Sequence, residues 1–276
     1  MKVFISVDME GITGIHSLQY IFDKEHEYAR GRNLMMQDLN AAIKGAVKAG
    51  AKEILVKDAH GSMRNLIIED MHEAADLIIG FPKQQLMMTG LDESFDAVIF
   101  IGYHTKEGSP GILSHTVNGG VIRDIKINGK SYGETGINAA ISGFYDVPVV
   151  MVSGDDMLQK EVEDILPDTN FVTTKMALSS YAAKMLHPKK TRKMIKQQTT
   201  QSLQEIDKTS VFKLPQELTM EITMKSTTQA DVIEIIPGLE RTSPETVVCN
   251  PKDIIEANDI ILTISNACCV LKVGIY

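Results

Sequence analysis

The chain opens with Met1-Lys-Val-Phe-Ile-Ser-Val-Asp-Met-Glu-Gly-Ile-Thr-Gly14, an apolar run that changes abruptly into acids and glycines. Residues 3–7 are rich in β-branched side chains and predict a buried strand. Asp8 and Glu10 follow directly, and ligands of α/β sheets collect at the carboxyl ends of strands. Two carboxylates this close repel each other unless a cation or a shared proton lies between them. A solvated turn with two incidental acids also explains this stretch alone, so its interpretation depends on whether the pattern recurs.

The next segments continue as alternating helices and strands. Helical spacing of apolar residues over 28–49 predicts a helix that Gly50 ends. Residues 53–58 predict a second strand, and a strand–helix–strand unit implies a parallel sheet with a right-handed crossover. Further predicted elements are strands at 97–102, 121–127 and 147–152, a hairpin turn at Asn128-Gly129 and a helix over 134–144. We therefore predict an α/β fold with a parallel-rich sheet core flanked by helices.

The character of the sequence changes in its last third. Residues 179–206 are predicted to be mostly helical, 218–224 to form a strand, and 254–264 to be helical or buried. No glycine-rich linker separates the two parts. We predict an α/β metal-binding catalytic core over residues 1–187 and a smaller C-terminal α+β portion over 188–276 packed on it.

Composition limits the class of protein. The 276 residues are 43% hydrophobic and 23% charged, which is typical of an ordinary globular protein with a substantial core. A net charge of −8 argues against nucleic acid as the main partner and suits a cationic or metal-bound ligand. No apolar stretch approaches the ~20 residues of a membrane span, and no signal peptide is expected. Three cysteines offer neither zinc spacing nor a disulfide framework, so we predict reduced core residues of a cytoplasmic protein: Cys249, Cys268 and Cys269.

Five candidate ligands lie just beyond a predicted strand end or at a helix start: Asp8, Glu10, His60, His104 and Glu134. Carboxylates and imidazoles at one sheet edge are what borderline divalent metals select, zinc above all. Five ligands exceed the three or four of one catalytic zinc, so we predict two ions about 3.5–4 Å apart, with Asp8 as the natural bridge. Each residue alone also has an ordinary explanation. Such a histidine is often a hydrogen-bonded loop residue, and Glu134 also suits a helix N-terminus.

His115 differs from these residues because it lies in a loop, residues 108–120, that is rich in Gly and Ser. A loop histidine beside a metal centre can donate a proton or stabilise an oxyanion. A surface histidine explains the sequence equally well. Asp58 is a candidate for orienting the His60 imidazole, and residues 155 and 156, both Asp, are candidate helix caps.

Several short blocks, in this order, resemble one known family. The blocks are Ser6-Val-Asp-Met-Glu-Gly-Ile12, Asp58-Ala-His60, Gly102-Tyr-His104, Ser114-His115, Gly133-Glu134, Tyr145-Asp-Val-Pro148 and Gly154-Asp-Asp156. They are similar to the D-aminopeptidases of dipeptide-transport operons, which are dinuclear zinc peptidases. The resemblance covers the first two thirds of the chain and thins after about residue 180. It implies zinc ligands at the five positions above, a catalytic role for His115, and a ring-stacked homodecamer whose active sites face an internal chamber.

These observations predict a zinc-dependent aminopeptidase with two Zn²⁺ per chain and a metal-activated water. The expected substrates are short peptides, with N-terminal D-amino acids among the candidates, and the expected partners are other copies of the chain. Two alternatives stay open. One is another dinuclear metallohydrolase, a phosphoesterase or an amidohydrolase, although no glycine-rich phosphate cradle is present. The other is a non-catalytic, metal-stabilised scaffold or binding protein.

Overall fold

A computed structural model describes residues 1–269. Its main sheet has seven strands in the order β3-β2-β1-β4-β7-β8-β9. These strands are β1 (Lys2–Val7), β2 (Glu53–Asp58), β3 (Asp76–Ile78), β4 (Ala97–Ile101), β7 (Val149–Asp155), β8 (Asn170–Ser179) and β9 (Ala182–Met185). All neighbours pair in parallel except β8 and β9, which pair antiparallel. The predicted parallel-rich α/β sheet is therefore confirmed.

A second sheet is antiparallel and has the order β11-β12-β10-β5-β6. Its strands are β5 (Ile122–Ile127), β6 (Lys130–Ser131), β10 (Met220–Met224), β11 (Glu240–Arg241) and β12 (Thr246–Cys249). The hairpin between β5 and β6 turns at Asn128 and Gly129, whose φ angles are 51° and 79°. Both values lie in the left-handed region that the predicted turn requires.

Helices cover both faces of the main sheet. They are α1 (Tyr28–Ala49), α2 (Glu134–Phe144), α3 (Asp156–Ile165), α4 (Pro188–Gln204), α5 (Thr227–Ile233) and α6 (Ile254–Cys269). Successive side chains of β1 point to opposite faces, so Val3 and Ile5 join the core under α1 and α4, whereas Phe4 joins the core shared with the other helices and the second sheet. Strands buried on both faces explain the continuous apolar run that opens the sequence.

Helix ends follow the chemistry of their residues. Gly50 has a φ of 94° and ends α1 by donating its N–H to the carbonyls of the last turn, as predicted. Asp155 caps α3 by accepting from the N–H groups of Met157 and Leu158. Asp156 does not cap the helix, because its carboxylate accepts instead from the N–H of Ala177 at 2.8 Å. The prediction of a cap is therefore confirmed at Asp155 and wrong at Asp156.

Two further predictions need correction. Residues 179–206 are mostly helical, as predicted, because α4 covers Pro188–Gln204, but the start of the segment is the end of β8 followed by β9. Proline suits the first turn of a helix, where its missing N–H costs no bond, and the preceding His187 accepts a hydrogen bond from the N–H of Lys189. Cys249 and Cys268 are buried as predicted, but Cys269 is exposed. Among residues 1–269, no helix is long and apolar enough to cross a membrane.

Candidate metal centre

The order of the strands brings the predicted ligands to one place. From β1 the chain moves outward to β2 and β3, then returns to the other side of β1 as β4. A crevice forms where the strand order reverses in this way, at the carboxyl ends of the strands. Asp8 directly follows β1, His60 follows β2 by two residues, and His104 follows β4 by three. These three side chains therefore meet at the reversal point.

All five predicted ligands are buried, and a chain of contacts joins them into one cluster. His60 Nδ1 lies 3.2 Å from Asp8 Oδ1 and 3.1 Å from Glu10 Oε2. His104 Nε2 lies 3.3 Å from Asp8 Oδ2 and 3.5 Å from Glu134 Oε1. The two oxygens of Asp8 thus face two different histidines, and Asp8 stands at the middle of the cluster.

The donor atoms form overlapping groups that suit metal ions. One group of three consists of Asp8, Glu10 and His60, and another consists of Asp8, His104 and Glu134. Within each group the ligand atoms lie within 4.8 Å of one another. Asp8 Oδ2 and His104 Nε2 face each other without forming a hydrogen bond to any group, although both atoms are buried. Buried polar atoms without a partner are costly, and a bound cation would satisfy both of these.

Each of the two buried imidazoles has its other nitrogen committed to a backbone carbonyl. His60 Nε2 donates to the carbonyl of Ile21 at 3.0 Å, and His104 Nδ1 donates to the carbonyl of Thr105 at 2.9 Å. A carbonyl only accepts, so these bonds fix the tautomer in which the opposite nitrogen is free to ligate. Ligating histidines in metalloproteins are held in the same manner.

The charges of the cluster are strongly coupled. Burial raises the pKa of Asp8, but the facing imidazoles of His104 and His60 outweigh this and hold it well below its usual range. Burial also raises the pKa of Glu134, yet the charge of His104 holds it below its usual value. Burial lowers the pKa of both histidines, but the surrounding carboxylates raise both well above the ordinary value. The cluster therefore concentrates negative charge that attracts cations, whether protons or a divalent metal.

Asp58 acts on His60 through an intermediate residue. Its carboxylate accepts from the backbone N–H of Asn65 at 2.6 Å and from the N–H of Leu66 at 2.8 Å. The Asn65 side-chain amide donates to Asp58 at 2.8 Å and to the carbonyl of His60 at 2.7 Å. Asp58 therefore fixes the loop that carries the histidine rather than the imidazole itself.

His115 packs against the cluster from the loop at 108–120. Its ring stacks on that of His104, with centroids 4.1 Å apart and planes 12° apart. Its Nδ1 contacts the carbonyl of Leu113 at 2.9 Å, and its Nε2 lies 3.8 Å from Glu134 Oε1. Glu134 also accepts from the N–H of Val117 at 2.6 Å, which ties the loop to the start of α2. A third group of possible metal ligands consists of His115, Glu10 and His104. The geometry alone is therefore compatible with His115 as a metal ligand and with His115 as an acid–base group.

A cavity of about 1090 Å³ opens above the cluster. Four of the five predicted ligands and His115 line it, and His104 lies behind them. The volume is at the upper end of the roughly 300–1,000 Å³ of small-molecule sites, which leaves room for a short peptide. Its wall includes exposed apolar side chains such as Phe22, Phe81 and Tyr181.

Sequence reasoning missed the wall and the supports of the site. Leu262 and Asn266 of α6 line the cavity, and Ser265 accepts a hydrogen bond from Asn118 at 3.3 Å. These residues are about 150 positions from the loop that they contact, and no local motif marks them. The role of Asn65 was only weakly indicated by the sequence, through its position five residues after His60.

A protein family, a related enzyme and a solved structure are similar to this chain. A family described as D-aminopeptidase matches residues 1–263. A D-aminopeptidase of Bacillus subtilis (strain 168) is 38% identical over 266 residues, which span 96% of this chain and 97% of that protein. The solved structure of DppA from Bacillus subtilis, a zinc-dependent D-aminopeptidase and self-compartmentalizing protease, superimposes with a TM-score of 0.96 at 36% identity. That match covers 99% of this chain and 100% of DppA.

Proposed function

The chain belongs to the D-aminopeptidase family and is a peptide hydrolase, and from that premise we propose that it removes N-terminal residues, including D-residues, from short peptides with the help of zinc. The solved relative depends on zinc, and the buried carboxylate–imidazole cluster offers the ligand types that zinc selects. The cavity above the cluster has the size for a short peptide.

One observation carries the proposal of two ions per chain: Asp8 belongs to both three-residue groups of buried ligands. Its Oδ1 faces His60 and its Oδ2 faces His104, which suits a carboxylate that bridges two ions. Glu10 would complete the first site and Glu134 the second. Each ion would then have three protein ligands and could keep an open position, as catalytic zinc sites require.

The residues of the chain divide the remaining work. Bound zinc supplies Lewis acidity and lowers the pKa of a coordinated water to about 7. His115 supplies a proton at Nε2: because its Nδ1–H is used on the Leu113 carbonyl, Nε2 is a donor only when the ring is protonated. The nearest carboxylate is that of Glu134, whose Oε1 lies 3.8 Å from His115 Nε2. A protonated His115 at the cavity wall is placed to protonate a leaving amine or to stabilise an oxyanion.

We further infer that the chain forms a closed homo-oligomer, specifically a ring-stacked decamer, in the cytoplasm. The solved relative is a self-compartmentalizing protease. On this chain, the end of β8 and the turn that follows it present Leu178 and Tyr181, with 72% and 58% of their surface exposed. Apolar side chains with this exposure suit a contact with another copy.

The division into residues 1–187 and 188–276 stays a prediction. The two portions share the second sheet, because each of them supplies strands to it.

The test is release of free amino acids from a matched panel of D- and L-dipeptides, measured before chelation, after chelation and after zinc is returned. We expect activity that is lost with the metal and restored by zinc, and elemental analysis that approaches two zinc ions per chain. Hydrolysis of p-nitrophenyl phosphate without dipeptide cleavage would favour a phosphoesterase. Full zinc loading without turnover on either substrate class would favour a scaffold, and saturation at one ion would refute the dinuclear site.

A further inference from the structure

Lys175 of β8 is a fully buried lysine that contacts the ligand loop, which we define as residues 8–15. Its Nζ donates to the backbone carbonyls of Glu10, of Ile12 at 2.9 Å and of Ile15 at 2.7 Å. An ammonium group has three hydrogens, and here each has a carbonyl acceptor in the same short loop. The side chain therefore fills the centre of the turn that carries the proposed ligands.

A β-bulge in β8 directs the Lys175 side chain toward the ligand loop. The pairing with β7 matches Gly154 to Thr173 and Asp155 to Lys175, so Thr174 is an extra residue in the strand. Such bulges redirect side chains and are common beside active sites. As a result Thr174 also reaches the ligand loop, and its hydroxyl donates to the carbonyl of Gly11 at 2.6 Å. Two adjacent residues of β8 thus hold the carbonyls of positions 10, 11, 12 and 15.

The ligand loop is packed too closely against its neighbours to move and form other contacts in place of these. Gly11 donates its N–H to the carbonyl of Gly102 at 2.7 Å, and a Cβ at Gly11 would lie only 2.0 Å from the carbonyl oxygen of Tyr103. Without the lysine, the buried carbonyls of Glu10 and Ile15 would lose this donor, and that of Ile12 would keep only the N–H of Ile15 at 3.2 Å.

We propose that Lys175 is a positioning residue for the metal ligand Glu10, acting through its bond to the Glu10 carbonyl. This inference rests on the proposed dinuclear centre. The carbonyl and the carboxylate belong to one residue, so fixing the backbone at Glu10 fixes the direction in which its side chain leaves the loop. Glu10 is buried and contacts His60 at 3.1 Å, so a small rotation of its backbone would move the carboxylate away from its site. Partners that orient a ligand in this way change metal affinity by about 10–100-fold.

The experiment measures zinc affinity and stoichiometry by chelator competition for Lys175→Met and Lys175→Gln beside the wild-type protein. Methionine keeps the length of the side chain without donors, and glutamine keeps two donor hydrogens. The control is Thr200→Val in α4, which removes a buried hydroxyl whose single hydrogen faces the carbonyls of Gly45 and Lys196, both at 3.0 Å, and which does not contact the ligand loop. We expect the methionine variant to bind one zinc with wild-type affinity and the other at least tenfold more weakly. The glutamine variant should fall between, and the control should bind both ions normally.

Each other outcome overturns the proposal. Two zinc ions bound by Lys175→Met with unchanged affinities would remove Lys175 from ligand positioning. Equal weakening of both ions would indicate general loosening of the fold rather than an effect on Glu10. Failure of both lysine variants to fold in the presence of zinc would assign Lys175 to the stability of the fold alone. A wild-type protein that binds fewer than two ions would instead refute the dinuclear centre, so the two failures are distinguishable.

Discussion

Replacing His115 with alanine separates three roles for this residue, namely ligand, acid–base group and surface histidine. The substitution removes the ring that stacks on His104 at 4.1 Å and the hydrogen bond to the Leu113 carbonyl. It also removes the Nε2 atom that faces Glu134 and the cavity. The backbone of the loop stays anchored, because Val117 still donates to Glu134.

The structural cost of this substitution should be too small to unfold the protein, whereas its effect on turnover should be large. A stacked aromatic pair contributes about 0.5–1.5 kcal/mol and a hydrogen bond about 0.5–1.5 kcal/mol. The free energy of unfolding should therefore fall by about 1–3 kcal/mol, which leaves most of a typical 5–15 kcal/mol. Loss of a general acid or an oxyanion donor costs roughly a hundredfold or more in turnover, or about 2.7 kcal/mol of transition-state stabilisation. The protein should stay folded and loaded with zinc while turnover falls by that factor.

The assay is a steady-state rate with a zinc measurement and a melting curve on the same sample. His72→Ala is the matched control, because His72 lies outside the cavity and also takes part in one local bond, from the N–H of Ala74 at 3.2 Å. His115→Gln separates oxyanion stabilisation from proton transfer, since an amide can donate a hydrogen bond but cannot transfer a proton at neutral pH. Partial retention of turnover by the glutamine variant would indicate oxyanion stabilisation. Loss of zinc by His115→Ala would show a ligand instead, and near-wild-type turnover with full zinc would remove His115 from the mechanism.

Three further predictions concern the bridge, the assembly and the thiols. Asp8→Asn should lower zinc content and activity more than Glu10→Gln, because the two Asp8 oxygens face different histidines; equal, mild effects on zinc content would mean that Asp8 does not bridge. Light scattering should detect a closed homo-oligomer much larger than a dimer, and a monomer at micromolar concentration would refute this. Burial raises the pKa of Cys249 to about 11, so at pH 8 an alkylating reagent should modify the exposed Cys269 and spare Cys249 until the protein is denatured. Equal labelling of both thiols in the native protein, read by mass spectrometry, would contradict that burial.

The elements that could be predicted from the sequence are those whose signals are local. The helix Tyr28–Ala49 repeats its apolar residues at helical spacing and ends at a glycine in the left-handed conformation, and both signals lie within the segment itself. The strand that ends at Ser179 could not be recognised in this way. Its residues alternate only weakly between buried and exposed, because β8 is paired with β7 on one side and with the short β9 on the other. Its place in the sheet depends on contacts with distant segments, which no local period reports.

The same distinction holds within the candidate site. A side chain one to three residues past a parallel strand must lie at the carboxyl edge of the sheet, so position along the chain is enough to group Asp8, His60 and His104. The order of the strands was not predictable, and it decides that β1 and β4 are neighbours at the point of reversal. That order turns three edge residues into a cluster with contacts of 3.2 and 3.3 Å.

The residues that hold the ligands in place are the hardest ones to predict from a sequence pattern. Lys175 is 165 residues from Glu10 along the chain, and its strand lies three places from β1 in the sheet. The two meet because the ligand loop crosses the ends of β4 and β7, where Gly11 bonds to Gly102 and Thr174 bonds to both Gly11 and Gly154. The role of this buried lysine therefore follows from the path of the ligand loop and not from the sequence of its own strand. Ligand identity follows from position along the chain, whereas ligand geometry follows from contacts across the sheet.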